Sequence, residues 1–348
     1  MEKRLWIPDY IKGWTVIIII QAHIFETWIQ PDLIETKTGT VIRLINNIPA
    51  APLLMLLMGY LAYYTKVGSS KLIVRGLKIM FWGLLLNIGL NLNYLIQILT
   101  NRTEGNILHS ILAMDIFFLA GLSLIIIGLI RNSRQSLWIS LSASVVIALS
   151  SPMVAQCLDQ INPDNYLLAV LGSHADWSYF PVFPWLSYPL LGFAFSCLLS
   201  RYPLSELSKS WNILILFIAL GIGSLGFIYS WNDLKNLIPY YHHGLPVYIW
   251  SNIIALGMVI LLSFFPGFQR SIFSAWIQFV GKKLTRYYVI QWLIIGNLAS
   301  FIYQGLGLWA YFIGFIAVSA ATTTLVYLWE DKDFSFVYRK ILNIFRFS

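Results

Sequence analysis

Ten stretches of this chain, each about 20 residues long and almost free of charge, decide what it can fold into, because about 20 apolar residues is the length a helix needs to cross a bilayer. They lie at residues 13–32, 46–65, 77–98, 107–130, 137–157, 181–200, 211–230, 246–265, 284–303 and 306–329. Composition agrees: 58% of the residues are hydrophobic and 11% charged, where a soluble domain carries roughly 25% charge. The expectation is an all-α polytopic membrane helix bundle of about ten transmembrane helices. Residues 1–330 read as one transmembrane domain. Residues 331–348 read as a basic amphipathic cytoplasmic tail, with Phe334, Phe336, Ile341, Ile344 and Phe345 interleaved with Arg339, Lys340 and Arg346.

Orientation follows from the cations. With the N-terminus inside, only Lys37, Arg43, Arg102 and Lys235 of the 23 Lys and Arg fall in loops on the far side. Such asymmetry places both termini in the cytoplasm. The net charge of +8 would suggest nucleic acid in a soluble protein, yet these cations sit in short loops where topology accounts for them, and no nucleic-acid partner is expected. Lys3 and Arg4 precede an apolar stretch with no small-residue cleavage site, which reads as a retained first span. Cys157 and Cys197 cannot build a disulfide framework and read as packing residues. Gly-rich phosphate loops and Gly-x-Ser-x-Gly turns do not occur, which sets aside the commonest soluble enzyme classes.

Polar residues inside the apolar stretches narrow the function. Eleven steps of about 100° bring His23 within about 20° of Lys12 on a helix, and a rise of about 1.5 Å per residue separates them by roughly 16 Å. One cation then sits at a membrane edge and one imidazole about halfway through the hydrocarbon, on the same stripe. Imidazole is the usual proton carrier near neutral pH, and Glu26 could meet it on that face. The plainer reading of His23 is an interhelical hydrogen bond. Lys12 with Asp9 one turn earlier could anchor an anion or form a snorkelling ion pair. Asp115, within the fourth span, needs a partner, which the Asn87 and Asn91 face of the third could supply. On the longest outside loop, His174 and Asp176 stand where a polar substrate could reach them. Two residues do not make a metal site, and His242-His243 is as isolated. No metal is expected.

The opening Asp9-x-x-Lys12-Gly13 followed by His23 resembles the first-helix signature of the membrane acyltransferase-3 superfamily, in which an arginine stands where this chain has Lys12. Ala51-Pro52-Leu53-Leu54-Met55-Leu56-Leu57-Met58-Gly59 is similar to the second span of that superfamily. Arg75-Gly76-Leu77-Lys78-Ile79 looks like the basic start of its third, and Ile107-Leu108-His109-Ser110-Ile111-Leu112 like the start of its fourth. Tyr179-Phe180-Pro181-Val182-Phe183-Pro184-Trp185-Leu186 with Gly192 most resembles the branch related to heparan-alpha-glucosaminide N-acetyltransferase. Gln291 stands where relatives tend to have a histidine.

The resemblance implies an integral membrane acyltransferase taking an acyl group, acetyl above all, from cytoplasmic acetyl-CoA or another acyl-CoA to a sugar or glycan acceptor on the extracytoplasmic side. His23 would be general base or acyl carrier, with Lys12, Asp9 and Glu26 beside it in the catalytic set. Arg75 and Lys78 would hold the donor, and His174, Asp176 and Asp115 would serve the acceptor side. Membrane lipids are the surrounding partners, homo-oligomerisation is open, and a bacterial inner membrane is the expected location. The alternatives are a transporter or flippase of a glycan or lipid-linked precursor, in which His23, Glu26 and Asp115 relay protons or touch cargo, and a non-catalytic relative.

Overall fold

A computed structural model describes residues 6–46, 50–162, 165–202 and 209–330. The cytoplasmic tail expected at 331–348 lies outside the described residues, as do Lys3 and Arg4. Each of the ten expected spans overlaps one main helix, of 13 to 26 residues. These are α1 (Trp6–Trp28), α2 (Ala50–Tyr64), α3 (Ser69–Leu90), α4 (Ile116–Ile130), α5 (Ser136–Ile161), α6 (Ser187–Leu199), α7 (Lys209–Leu234), α8 (Leu245–Ser263), α9 (Leu284–Ile302) and α10 (Leu308–Glu330). Helices are the expected outcome for apolar chain in lipid, since every backbone N–H and C=O must be satisfied within the segment.

Among the described residues, seven helical stretches are long and apolar enough to cross a membrane unaided. Neither α1 nor α9 is among them, because Asp9, Lys12, His23 and Glu26 on one and Arg286, Gln291 and Asn297 on the other dilute their hydropathy. These two polar helices pack against each other, and α1 also meets α2 and α10. The remaining long pairings are α3 with α4, α2 with α6, α5 with α6 and α7 with α8. Trp185, Tyr188, Phe193 and Leu119 fill the largest apolar core, between α2, α4, α5 and α6. A second core joins Ile24, Phe25 and Trp28 of α1 to Ile295 and Tyr311 of α9 and α10. Large apolar side chains face outward along α7, among them Phe217, Leu225 and Ile228, the surface that acyl chains would cover.

The structure redraws one span. Residues 107–130 are not one helix: a short helix at Ile107–Ile111 ends, the chain runs irregularly to Asp115, and α4 begins at Ile116. The break frees carbonyls, and two amides take them up, one on α3 and one on the residue that ends it. Asn87 Nδ2 donates to the carbonyls of Ile111 (3.1 Å) and Ala113 (2.9 Å), and Asn91 Nδ2 donates to that of Ser110 (3.3 Å). The expected Asn-to-Asp115 pairing is thereby replaced by Asn-to-backbone bonds. Between α8 and α9, where only a loop was expected, a further helix at Ile272–Lys282 packs along the first half of α1.

Candidate functional site

The first half of α1 is clamped near its N-terminal end. A Cβ on Gly281 would lie 1.8 Å from the Asp9 carbonyl oxygen, and one on Gly13 would lie 2.0 Å from that of Ile277. Only glycine permits this reciprocal approach of α1 and the Ile272–Lys282 helix. Within the crossing Asp9 is buried, and its Oδ1 meets Lys12 Nζ at 2.7 Å. Lys12 is therefore an ion-paired residue at a helix crossing. On the same short helix a cavity of about 310 Å3 opens between Gln269, Arg270, Ala275, Gln278 and Lys282. Arg75 and Lys78 do not line it; both are exposed on the outward face of α3.

One unbroken α1 carries Lys12 and His23, so the spacing expected from the sequence holds. His23 Nδ1 lies 3.1 Å from Gln291 Oε1 on α9. The Gln291 side chain is fully buried, and its Nε2 donates to the Tyr288 carbonyl at 3.1 Å. That second bond leaves Oε1 as acceptor, so His23 donates its Nδ1–H and keeps the lone pair on Nε2. The ring stacks on Trp292 with centroids 3.7 Å apart and takes an edge contact from Tyr288 at 6.2 Å. An imidazole held in one tautomer with one basic nitrogen free is equipped to take a proton.

Glu26 does not bond the His23 ring, whose Nδ1 bond goes to Gln291. It lies about one turn further along α1, where its backbone carbonyl accepts from Gln304 Nε2 at 3.5 Å. Burial first, and then the nearby Glu26 carboxylate, hold the Tyr241 phenol above its ordinary range. Phe180 and Tyr179 pack edge-on to Tyr241 at 5.5 Å.

In the segment between α5 and α6, His174 pairs with Asp159, not with Asp176. Its Nδ1 lies 2.5 Å from Asp159 Oδ2, and its backbone N–H donates to Oδ1 at 2.9 Å. Asp176 is exposed nearby. The His242 ring lies 4.5 Å from that of His174, and its pKa is pushed down to about 4, by burial first and then by the His174 charge. His243 is buried between the Tyr188 hydroxyl (2.7 Å) and the Tyr240 carbonyl (2.7 Å). Neither Asp159 nor His242 was singled out from sequence as a partner of His174, and no local spacing marks them as such. Among the described residues no cluster of His, Cys, Asp or Glu is placed to hold a metal ion. Asp115 caps α4, Oδ1 accepting from the N–H groups of Phe117 and Phe118 at 3.0 Å each.

A family model described as heparan-alpha-glucosaminide N-acetyltransferase, catalytic, matches residues 4–234, more than half of the chain. The chain belongs to that family. No curated protein and no solved structure matches it. The stretch matched to the N-acetyltransferase family holds Lys12, His23, Asp115 and His174, while Gln291 and the Arg270–Lys282 cavity lie beyond it. Membership gives an integral membrane protein with N-acetyltransferase-like function.

Proposed function

We propose that the protein transfers an acetyl group from cytoplasmic acetyl-CoA to an amine or hydroxyl of a sugar acceptor reaching in from the other side, with His23 as general base. The observation that carries this reading is the His23–Gln291 bond, which leaves Nε2 with a lone pair. The acceptor heteroatom attacks the thioester carbonyl and Nε2 takes its proton. The carbonyl re-forms as the carbon–sulfur bond breaks, and the proton passes to the departing thiolate, so the imidazole ends neutral. Arg270 and Lys282 supply cationic contacts for the donor phosphates at the cytoplasmic cavity. In this reading Lys12 and Asp9 position α1 and touch no substrate. On the acceptor side, His174, held by Asp159 and facing His242, would meet the sugar.

The test is transfer from labelled acetyl-CoA to glucosamine in membranes containing the protein. His23→Ala should remove it, with acetyl-CoA binding retained. Full turnover in that variant would refute the mechanism, and acceptor movement that needs no acyl-CoA would point to a transporter.

A further inference from the structure

The helix break before α4 leaves two buried polar atoms without partners on one cavity wall. Asp115 Oδ1 is used as the helix cap, while Oδ2 is buried and accepts nothing. Trp177 is 6% exposed, and its Nε1–H is buried with no acceptor. The two residues are tied together by the backbone, since Met114 N–H donates to the Trp177 carbonyl (3.0 Å) and Phe180 N–H to that of Met114 (2.9 Å). Both line a cavity of about 120 Å3 that also takes in Gly83, Asn87 and Tyr166. The Trp177 ring is braced by His109, stacked at 5.2 Å, and Tyr166 at 4.8 Å.

An unpaired acceptor and an unpaired donor in an apolar wall each cost about 1–3 kcal/mol, so native structures rarely keep both idle. One chemical group satisfies the pair: a hydroxyl donates one hydrogen bond and accepts another. An ammonium could not accept from the indole, and a phosphate would be repelled by the carboxylate. We infer that this cavity is a hydroxyl-recognition site, in which Asp115 Oδ2 accepts from the ligand hydroxyl, Trp177 Nε1–H donates to it, and the remaining walls take the ligand's C–H surface. The hydroxyl can come from a sugar or from an alcohol dissolved in the membrane. The site stands apart from the acyl-transfer reading, since it needs neither His23 nor a donor.

The test uses the full chain in nanodiscs and saturation-transfer NMR with three probes: methyl glucoside, its permethylated ether, and cyclohexanol. Asp115→Asn keeps the helix cap through its carbonyl oxygen and puts an amide donor where Oδ2 was; Trp177→Phe removes the indole donor and keeps a ring. Wild type should bind a hydroxylated probe and not the ether, and each variant should lower that signal about tenfold, the loss of one good hydrogen bond. A glucoside signal makes the source a sugar; a cyclohexanol signal alone makes it a membrane alcohol. Equal signals from glucoside and ether, binding indifferent to both substitutions, or no binding by any probe would each overturn the inference, the last by leaving the two atoms to a resident water. Acetyl transfer is not part of the readout, so loss of that activity would leave this result standing.

Discussion

Gln291 accepts the Nδ1–H of His23 at 3.1 Å across a sequence separation of 268 residues, so α9 decides which nitrogen of an α1 histidine stays basic. If that is the role of Gln291, Gln291→Leu should lower kcat for acetyl transfer by about a hundredfold, the scale of a general base's contribution, with the KM for acetyl-CoA nearly unchanged. Gln291→His, which can also accept, should recover most of the rate. A parallel rise in KM would show that Gln291 acts on binding.

At the cavity between Arg270 and Lys282, the double variant Arg270→Gln with Lys282→Gln should raise the KM for acetyl-CoA about tenfold through lost charge-assisted contacts. Lys66→Gln with Lys71→Gln removes two exposed cations just before and within the first turn of α3 and should leave KM within about twofold. Equal effects would mean a diffuse charge field.

Alanine at Gly281 would bring Cβ within 1.8 Å of the Asp9 carbonyl. Thermal unfolding in detergent should show a loss of about 2 kcal/mol or more from such overpacking. Gly221→Ala, where nothing lies within 4 Å, should stay within about 0.5 kcal/mol of wild type.

The outer histidines give stability a pH dependence of known sign. His242 and His243 are held down to about 4, each chiefly by burial, against an ordinary value near 6.5. Above about 6.5 both states leave them neutral, and the folded state keeps its full advantage. As pH falls from about 6.5 to 4 the unfolded chain takes up protons that the folded protein refuses, so stability is lost across that window. Melting curves at stepped pH should show the loss, and His242→Gln should flatten it. Asp159 and His174 are the charged and titratable groups that face His242.

The all-α membrane bundle was legible because length and composition alone dictate helices in lipid, while seven of the ten expected spans are long and apolar enough among the described residues to cross unaided. The internal break was not legible, because a window averaged over residues 107–130 stays apolar around a lone Asp115. An aspartate directly before Ile116-Phe117-Phe118 is a helix-cap pattern, so a signal was present. His23 was legible from its depth and its match to a family motif. Its partner was visible only as a departure from that motif: nothing local ties Gln291 to His23, nor Asp159 to His174, since tertiary packing makes both pairs. Arg75 and Lys78 were attractive as cations near a span, yet helical phase turns them outward.

The broken fourth span also decides what fills the membrane's depth at that point. Fifteen residues of α4 at about 1.5 Å each give an apolar rod of about 22 Å, against a hydrocarbon layer of about 30 Å. Protein makes up the shortfall, since Leu129 alone of residues 116–130 is exposed and the others pack against neighbouring helices. Irregular backbone is thereby kept inside the bundle, where side-chain amides and not lipid meet its carbonyls.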